Sequence, residues 1–202
     1  TYKIEGSAVY DLVYLDGHYS PELSSSETAL GGVTAASMAS IALDSSFDLE
    51  GQVGCYAPTD ADGFAALNTA FLHDGAYIHL ADGHEEKVVV RLSYITVDST
   101  DPKVTYPRTL IVAGSNTDVT VVESYVGPKD TAYFTNAVTE ISVKDGAQVD
   151  HYRLLLEGDK AFHVGTNRVK QERDSCFSSA SFAVGSALAR NDLEVLLDGP
   201  GA

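Results

Sequence analysis

Two histidines of this 202-residue chain lie beside consecutive acidic residues, a combination that can bind a cation. His79 and His84 flank a turn that also carries Glu85 and Glu86. The spacing matches no short metal-binding motif such as HExxH. An exposed acidic turn is therefore the favoured interpretation, and the chain predicts no metal ligand and no catalytic residue.

A second group of titratable residues lies in the β-rich half of the chain. Asp150 and His151 are adjacent, and His163 follows on a neighbouring turn of the solenoid inferred below. A His–His or His–Asp pair across turns is the alternative to singly hydrogen-bonded histidines. Glu123 lies on the same face as Val119 and Val121 of an apolar strand. Because a buried carboxylate needs partners, we expect Glu123 at a strand end on the rim.

The basic cluster of the chain is Arg168, Lys170 and Arg173, close to Glu172 and Asp174. Polysaccharide lyases and hydrolases built on β-helices use such clusters on one face of a sheet. Basic residues that alternate with acids are more typical of a solvated strand face. No nucleophile-elbow, P-loop or dinucleotide-binding motif accompanies the cluster.

Cysteine usage favours a reducing compartment. Cys55 and Cys176 are far apart in the chain and form no CxxC pattern, so the sequence supports no disulfide framework. The sequence leaves open whether either thiol has a redox or cluster role. We expect a cytoplasmic protein.

The charge is strongly negative and uneven. The net charge is −16, and residues 1–100 hold 15 acidic residues against 3 basic ones. An acidic surface repels phosphate backbones, which argues against a nucleic-acid ligand. A solubilising, salt-adapted surface explains this charge, and a face that docks a basic partner is the alternative. No apolar run is long enough to span a membrane.

Turn residues recur in the second half of the chain. Asn116, Asp145, Asp174 and Asp198 each open a turn, at spacings of about 24 to 29 residues, as one coil of a solenoid requires. Residues 136, 167 and 191 are asparagines and suggest a second, interleaved series. An antiparallel sandwich, with turns every 8–12 residues or so, is the alternative. The period favours a parallel β-solenoid centred on residues 110–202.

The first half of the chain predicts shorter elements. Leu12–Leu15 and His18-Tyr19 form a hairpin around Asp16-Gly17, a pair suited to a type I′ turn. Residues 37–43 indicate a short helix. Residues 64–72 indicate a helix capped by Asp62, since apolar residues recur at helical spacing. Residues 77–80 and 88–97 are predicted strands, and residues 44–62 and 98–107 predicted loops.

Several stretches of the chain resemble the SufB/SufD family of iron–sulfur cluster assembly proteins, its SufD members in particular. They run in the family order from about residue 12 to the end and are weakest over 27–62. The stretches are residues 64–75, 107–112, 121–127, 133–141, 150–153, 161–163, 173–175, 188–193 and 197–199.

The resemblance implies an all-β protein with a right-handed parallel β-helix, a small N-terminal hairpin and a short helix. Residues 1–62 would form a hairpin and irregular segment and residues 63–202 the β-helix core, or both one continuous domain. The family implies a non-catalytic scaffold that pairs with a SufB-like subunit and with SufC, an ATPase of the ABC type. The iron–sulfur cluster would belong to the assembled complex.

The chain departs from the family pattern at both ends, and at the N-terminal end the helical region of the family is missing or very short. The helical region that binds SufC, and the later coils with the partner interface and a cluster-site histidine, would lie beyond Ala202. We therefore expect a partial chain and carry over no cluster ligand, and neither Cys55 nor Cys176 matches a ligand motif. The unpaired strands at the ends of a solenoid could pair with a second copy, so a homodimer is an open alternative. The rival functions are a β-helix polysaccharide lyase or hydrolase and a calcium-binding solenoid, whose Gly/Asp-rich nonapeptides the chain lacks.

Overall fold

The computed structural model describes residues 8–25, 27–44, 49, 51–60, 62–97 and 101–202. They form 14 strands and two helices. The helices are α1 (Met38–Ile41) and α2 (Gly63–Ala70). The strands are β1 (Ala8–Leu15), β2 (His18–Tyr19), β3 (Thr28–Leu30), β4 (Val33–Ser37), β5 (Ala76–Leu80), β6 (Val88–Ile95), β7 (Lys103–Thr105), β8 (Arg108–Ala113), β9 (Asp118–Val126), β10 (Tyr133–Val143), β11 (Gln148–Leu156), β12 (Phe162–Gln171), β13 (Cys176–Ala183) and β14 (Leu188–Leu197).

The strands coil into a parallel β-solenoid with two faces, which confirms the predicted fold class. One sheet has the order β13-β11-β9-β6-β1-β2 and the other β14-β12-β10-β8-β5-β4-β3. Successive strands alternate between the sheets, so that each coil adds one strand to each sheet in parallel register. The parallel stacking extends back to β1, which pairs with β6 along its whole length. The solenoid therefore begins well before residue 110.

Stacked turns hold one edge of the solenoid in register. Gly83, Asn116, Gly146, Asp174 and Gly201 all have positive φ angles, between 54° and 77°. The N–H of each of the first four donates to a carbonyl of the next turn, over 2.7–3.0 Å. Glycine and Asx residues adopt this left-handed conformation at the least cost, which explains the repeated Asn, Asp and Gly. The predicted series of turns is confirmed.

The second predicted series is wrong, because its members do not occupy one column. Asn136 stands opposite Val164, whereas Asn167 stands opposite Thr139. Asn136 faces outward and donates to the carbonyl of Phe64 in α2. A recurring asparagine therefore does not by itself identify equivalent positions in successive coils.

The core lies between the two sheets and is built from inward-facing residues of alternating strands. Tyr14, Tyr94 and Tyr125 stack in one inward column with ring centroids 5.0 and 5.3 Å apart. This end of the interior is apolar and holds both Leu12 and Leu92 at 0% exposure. The polar residues described below replace the apolar ones only in later coils.

The predicted hairpin and helices are present. Asp16 and Gly17 form the turn between β1 and β2 with φ angles of 49° and 87°. Asp62 caps α2 by accepting the N–H of Phe64 over 2.8 Å. The residues that α2 buries are Ala65 and Asn68, whereas Phe71 just beyond it is 49% exposed.

Two predicted loops are described in part. Within 98–107, residues 103–105 form β7, which pairs with β10, so that segment is not all loop. Residues 51–60 contain turns and no regular element. Positions 45–48, 50, 61 and 98–100 of these loops lie outside the described residues. The division of the chain at residue 62 stays a prediction.

Candidate functional site

A buried charged cluster occupies the lumen of the solenoid, and strand alternation places it there. The inward face of β9 carries Glu123, and that of β11 carries His151 and Arg153. Parallel register sets Arg153 directly beside Glu123 on the neighbouring strand. Leu92 occupies the equivalent position on β6, so the charges begin where the apolar column ends.

Five titratable side chains form a continuous line across the lumen. His151 Nε2 lies 3.2 Å and Arg153 Nε 3.7 Å from Glu123 Oε2. Arg153 Nη2 lies 3.0 Å from His163 Nε2, and His163 Nδ1 lies 3.0 Å from Glu157 Oε2. No side chain in these ion pairs is more than 2% exposed. Charges buried so completely persist only when they are paired.

Neutral hydroxyl groups donate further hydrogen bonds to the two carboxylates, Glu123 and Glu157. Thr139 Oγ1 lies 3.1 and 3.2 Å from the two Glu123 oxygens, and the Tyr125 hydroxyl lies 3.2 Å from Oε2. Thr135 donates to Glu157 over 2.8 Å. Donors directed at a carboxylate favour its charged form. The donors directed at Glu123 therefore favour its ionised form.

The pKa of Glu123 shows which effect dominates. Burial raises the pKa of this carboxyl, but the nearby His151 and Arg153 outweigh burial and lower it to about 2. The usual value is about 4.3. The folded state therefore binds the Glu123 proton less tightly than the unfolded state does.

This pKa shift predicts an acid-dependent stability. The contribution of Glu123 is complete above the unfolded pKa and is lost as pH falls towards about 2. It amounts to about 3 kcal/mol at neutral pH. In urea unfolding at a series of pH values from 6 to 2, we expect Glu123→Gln to show a shallower loss of stability than the unmodified chain. Equal slopes would contradict the assignment.

Gly165 makes room for the guanidinium of Arg153. A Cβ atom built on Gly165 would collide with Nη1, Nη2 and Cζ of Arg153. A glycine inside a strand often marks such a close approach. The backbone of β12 thus receives the arginine that β11 directs across the lumen.

Replacing Gly165 by alanine is expected to destabilise the chain by about 1–3 kcal/mol, since overpacking displaces Arg153. Gly63→Ala is the matched control, because a Cβ at this first residue of α2 meets nothing within 4 Å. It should be neutral or stabilise by up to about 1 kcal/mol. Urea unfolding of both variants provides the comparison, and equal effects would mean that Gly165 is not needed for Arg153.

A second buried ion pair anchors residues 51–60, here called the strap, to the outer face of one sheet. Arg108 Nη2 of β8 lies 2.5 Å from Glu140 Oε1 of β10, and both side chains are 0% exposed. Glu140 also accepts the backbone N–H groups of Gly54, Tyr56 and Ala57 over 2.8–3.0 Å. One carboxylate thus accepts three backbone N–H groups of the strap.

The predicted rim position of Glu123 is wrong, since its side chain is in the lumen and 0% exposed. The cause is that three of its partners come from other strands, Thr139 from β10 and His151 and Arg153 from β11, and meet it only after coiling. His151 and His163 each contact a glutamate instead of each other. Asp150 faces the opposite side of β11, where its carboxylate lies 3.6 Å from Lys87 Nζ.

The basic residues of the predicted cluster form ion pairs with acidic neighbours at the surface. Arg168 lies between Asp62 and Glu194, at 3.5 and 3.4 Å. Lys170 contacts Asp198 at 2.8 Å. A cavity of about 610 Å³ beside Arg168 is lined by both acids and bases. The arrangement matches the solvated strand face that was favoured over a lyase site.

Arg173, the third member of the predicted basic cluster, lies 3.3 Å from Asp145 and is more than half exposed. The other titratable residues singled out in the sequence stand apart from the lumen. Cys55 and Cys176 are both exposed free thiols. Burial lowers the pKa of His79. In the described ranges, no three His, Cys, Asp or Glu residues are arranged to hold a metal ion, and no helix is long and apolar enough to cross a membrane.

Comparison with known families identifies this solenoid. Residues 94–202 match the family described as SUF system FeS cluster assembly, SufBD core domain. Residues 4–92 match the SufBD protein N-terminal region. The chain belongs to the SufBD family. It is thus related to proteins of iron–sulfur cluster assembly, as the sequence resemblance implied.

Individual SufBD relatives agree with this assignment. An iron–sulfur cluster assembly SufBD family protein of Synechocystis is 30% identical over 193 residues, covering 91% of this chain and 42% of the relative. The iron–sulfur cluster assembly protein SufD of Escherichia coli is 24% identical over 190 residues, covering 93% and 42%. SufB of Bacillus subtilis is 28% identical over 149 residues, covering 72% and 31%. The chain spans less than half the length of these relatives.

Sequence reasoning missed three members of this SufBD lumen, namely Arg153, Glu157 and Gly165. Arg153 alternates with His151 on the inward face of an otherwise apolar strand, and Gly165 interrupts a strand. Both patterns are local signals of a polar interior. Glu157 follows the end of β11 and gave no such signal.

Proposed function

We propose that this SufBD-family chain is a non-catalytic scaffold part of an iron–sulfur cluster assembly complex in the cytoplasm. It would pair with a SufB-like subunit and an ABC-type ATPase. The cluster is the cargo of the assembled complex, and no residue of this chain is proposed as its ligand. The free, exposed cysteines support a reducing compartment.

The observation that carries the proposal is the family match along both parts of the chain, residues 4–92 and 94–202. The architecture supports it, because a solenoid with paired buried charges is a rigid body suited to holding partners in place. The surface also supports it, since Arg168 and Lys170 are each bound to acids and form no open acid–base site.

The proposal predicts stable association with both partners. The protein encoded by the complete reading frame is tagged at its N-terminus and expressed in its own cells, and the captured proteins are identified by mass spectrometry. We expect a SufB-like protein and an ATPase with a Walker A motif to be captured together. A tagged, unrelated acidic protein of similar size is the control for charge-driven capture.

Two outcomes of the capture experiment would contradict the scaffold role. If neither partner is captured, the proposal of a complex with a SufB-like subunit and an ATPase is wrong. Hydrolase or lyase activity of the isolated chain on polysaccharides would favour the rival class of β-helix enzymes.

A further inference from the structure

The apolar face of α2 is only partly covered by the solenoid. Phe64, Leu67 and Phe71 recur at the spacing of one helix face, which is the pattern of a buried stripe. The residues that α2 buries are instead Ala65 and Asn68. Phe64 and Leu67 remain partly exposed, and Phe71 is 49% exposed. The helix therefore presents apolar side chains that the described residues do not bury.

A row of apolar side chains lies beside this helix on the outer side of the sheet. Thr135 and His163 point into the lumen, where each meets Glu157. The residues that precede them therefore point outward, because side chains alternate along a strand. Parallel register places the members of the row on four strands, and three of them are 46–50% exposed. The row consists of Val104, Phe134, Phe162 and Leu188.

The helix and the row form one surface, here called the α2 groove and defined by Phe64, Leu67, Phe71 and the four row residues. Phe64 meets Phe134 edge to face, with ring centroids 6.3 Å apart. At the other end of the helix, Phe71 stacks on Tyr106 at 5.1 Å. Phe71 also lines a small cavity together with Val104. The groove thus runs along the whole of α2.

A cleft of about 610 Å³ continues the α2 groove at the first turn of the helix. The guanidinium of Arg190 lies 5.8 Å from the centroid of the Phe64 ring there. Aromatic side chains and arginine are enriched at the centres of protein interfaces, where most of the binding energy arises. The side chains that line the cleft are those of Asp62, Phe64, Leu67, Arg168, Arg190 and Asp192.

The charges at the cleft leave one carboxylate without a cation of its own. Arg190 pairs with Asp192 at 2.6 Å. Arg168 is shared, since it lies 3.5 Å from Asp62 and 3.4 Å from Glu194. The Glu194 side chain is 74% exposed, so an incoming basic side chain can reach it. The net charge of −16 attracts a basic partner over a longer range.

We propose that the α2 groove binds an amphipathic helix of a partner protein, with a lysine or arginine of that helix beside Glu194. A helix fits because it would lie next to α2 on the same sheet and present apolar side chains to both α2 and the row. A second copy of this chain is disfavoured, since each copy carries a net charge of −16. The proposal does not rest on the scaffold role, because binding to the groove is measured on this chain alone.

The test measures the binding of a labelled, designed peptide to the full chain by fluorescence anisotropy. The peptide consists of leucine and lysine, arranged so that its helix has one apolar and one basic face. A peptide with glutamate in place of lysine is the control. We expect one-to-one binding of the lysine peptide and about tenfold weaker binding, or none, of the glutamate peptide. Equal affinities, or no binding of the lysine peptide, would overturn the proposal.

Serine variants show whether the peptide occupies the α2 groove. Phe71→Ser and Phe162→Ser each remove a phenyl ring that is about half exposed, so the fold should persist. Each variant should weaken binding about fivefold or more. Phe182→Ser is the matched control, because Phe182 is 56% exposed on β13 in the other sheet. If Phe182→Ser weakens binding as much as the groove variants do, the assignment of the groove is wrong.

Glu194→Gln tests the charged end of the groove and should weaken binding of the lysine peptide by up to about fivefold at low salt. Glu86→Gln, on an exposed turn between β5 and β6, is its control and should have a smaller effect. Equal effects would contradict the role of Glu194. Sedimentation of the chain without peptide tests for a second copy. A dimer that Phe162→Ser converts to a monomer would show that the groove binds another copy, and would overturn the proposal.

Discussion

Replacing Glu140 by leucine is expected to destabilise the chain by about 3–5 kcal/mol, because it leaves Arg108 as a buried cation without its carboxylate. The same change removes the acceptor for the three strap N–H groups of residues 54, 56 and 57. Buried donors left without a partner add to the cost. Urea unfolding measures the loss of stability, and limited proteolysis should show cleavage within residues 51–60.

Glu194→Leu is the matched control for this prediction. Glu194 stands opposite Arg168 on the same sheet, pairs with it at 3.4 Å, and has a side chain that is 74% exposed. A pair whose carboxylate is this exposed contributes less than about 1 kcal/mol. If Glu140→Leu costs no more than Glu194→Leu, or leaves the strap resistant to protease, the anchoring role is wrong.

Replacing Arg153 by methionine is expected to cost about 3–5 kcal/mol, since a buried ion-pair partner is removed while the carboxylate stays. Methionine retains much of the apolar volume of arginine, so the loss reports charge more than packing. Arg173→Met is the control, because Arg173 pairs with Asp145 at 3.3 Å on the surface, with side chains 61% and 46% exposed. It should cost less than about 1 kcal/mol. Urea unfolding gives both values.

A double-mutant cycle separates the Arg153 and Glu123 contributions. Removing both charges in Glu123→Gln, Arg153→Met should cost less than the sum of the single changes, with a coupling of about 0.5–3 kcal/mol. Additive losses, or an Arg153→Met effect equal to that of Arg173→Met, would mean that the lumen charges do not act together.

The two buried ion pairs serve different parts of the SufBD solenoid. Arg108 and Glu140 attach a segment from the first half of the chain to the outer surface of a sheet. Glu123 and Arg153 join neighbouring coils from within. Replacing a whole buried pair by apolar residues is often neutral in stability, so such charges are weak evidence for stabilisation alone.

Much of the fold was predictable because its causes are local. The Asp16-Gly17 turn, the Asp62 cap of α2 and the left-handed Asn116 and Asp174 depend on residues close in sequence. The inward face shared by Val121 and Glu123 follows from strand alternation. The asparagine at position 136 led to a wrong prediction of a second series of turns, since side-chain type does not reveal which face of a strand a residue occupies.

The candidate site was less predictable because its contacts are distant in sequence. Glu123 was expected at a rim, yet His151 and Arg153 reach it from the next coil. The parallel register that aligns them depends on the number of residues in each connection. A one-residue change in that number would reverse the face of every side chain in the strand.

By itself, the sequence determined a coiled, strand-rich SufBD-type chain, since turn chemistry, side-chain alternation and family motifs are written in consecutive residues. Only the tertiary structure decided that Glu123, His151, Arg153, His163 and Glu157 form one buried line. Charges from three strands and a connecting segment meet only when the coils stack and exclude water. Their interactions are strong because water is excluded from the lumen, and no single stretch of sequence predicts that exclusion.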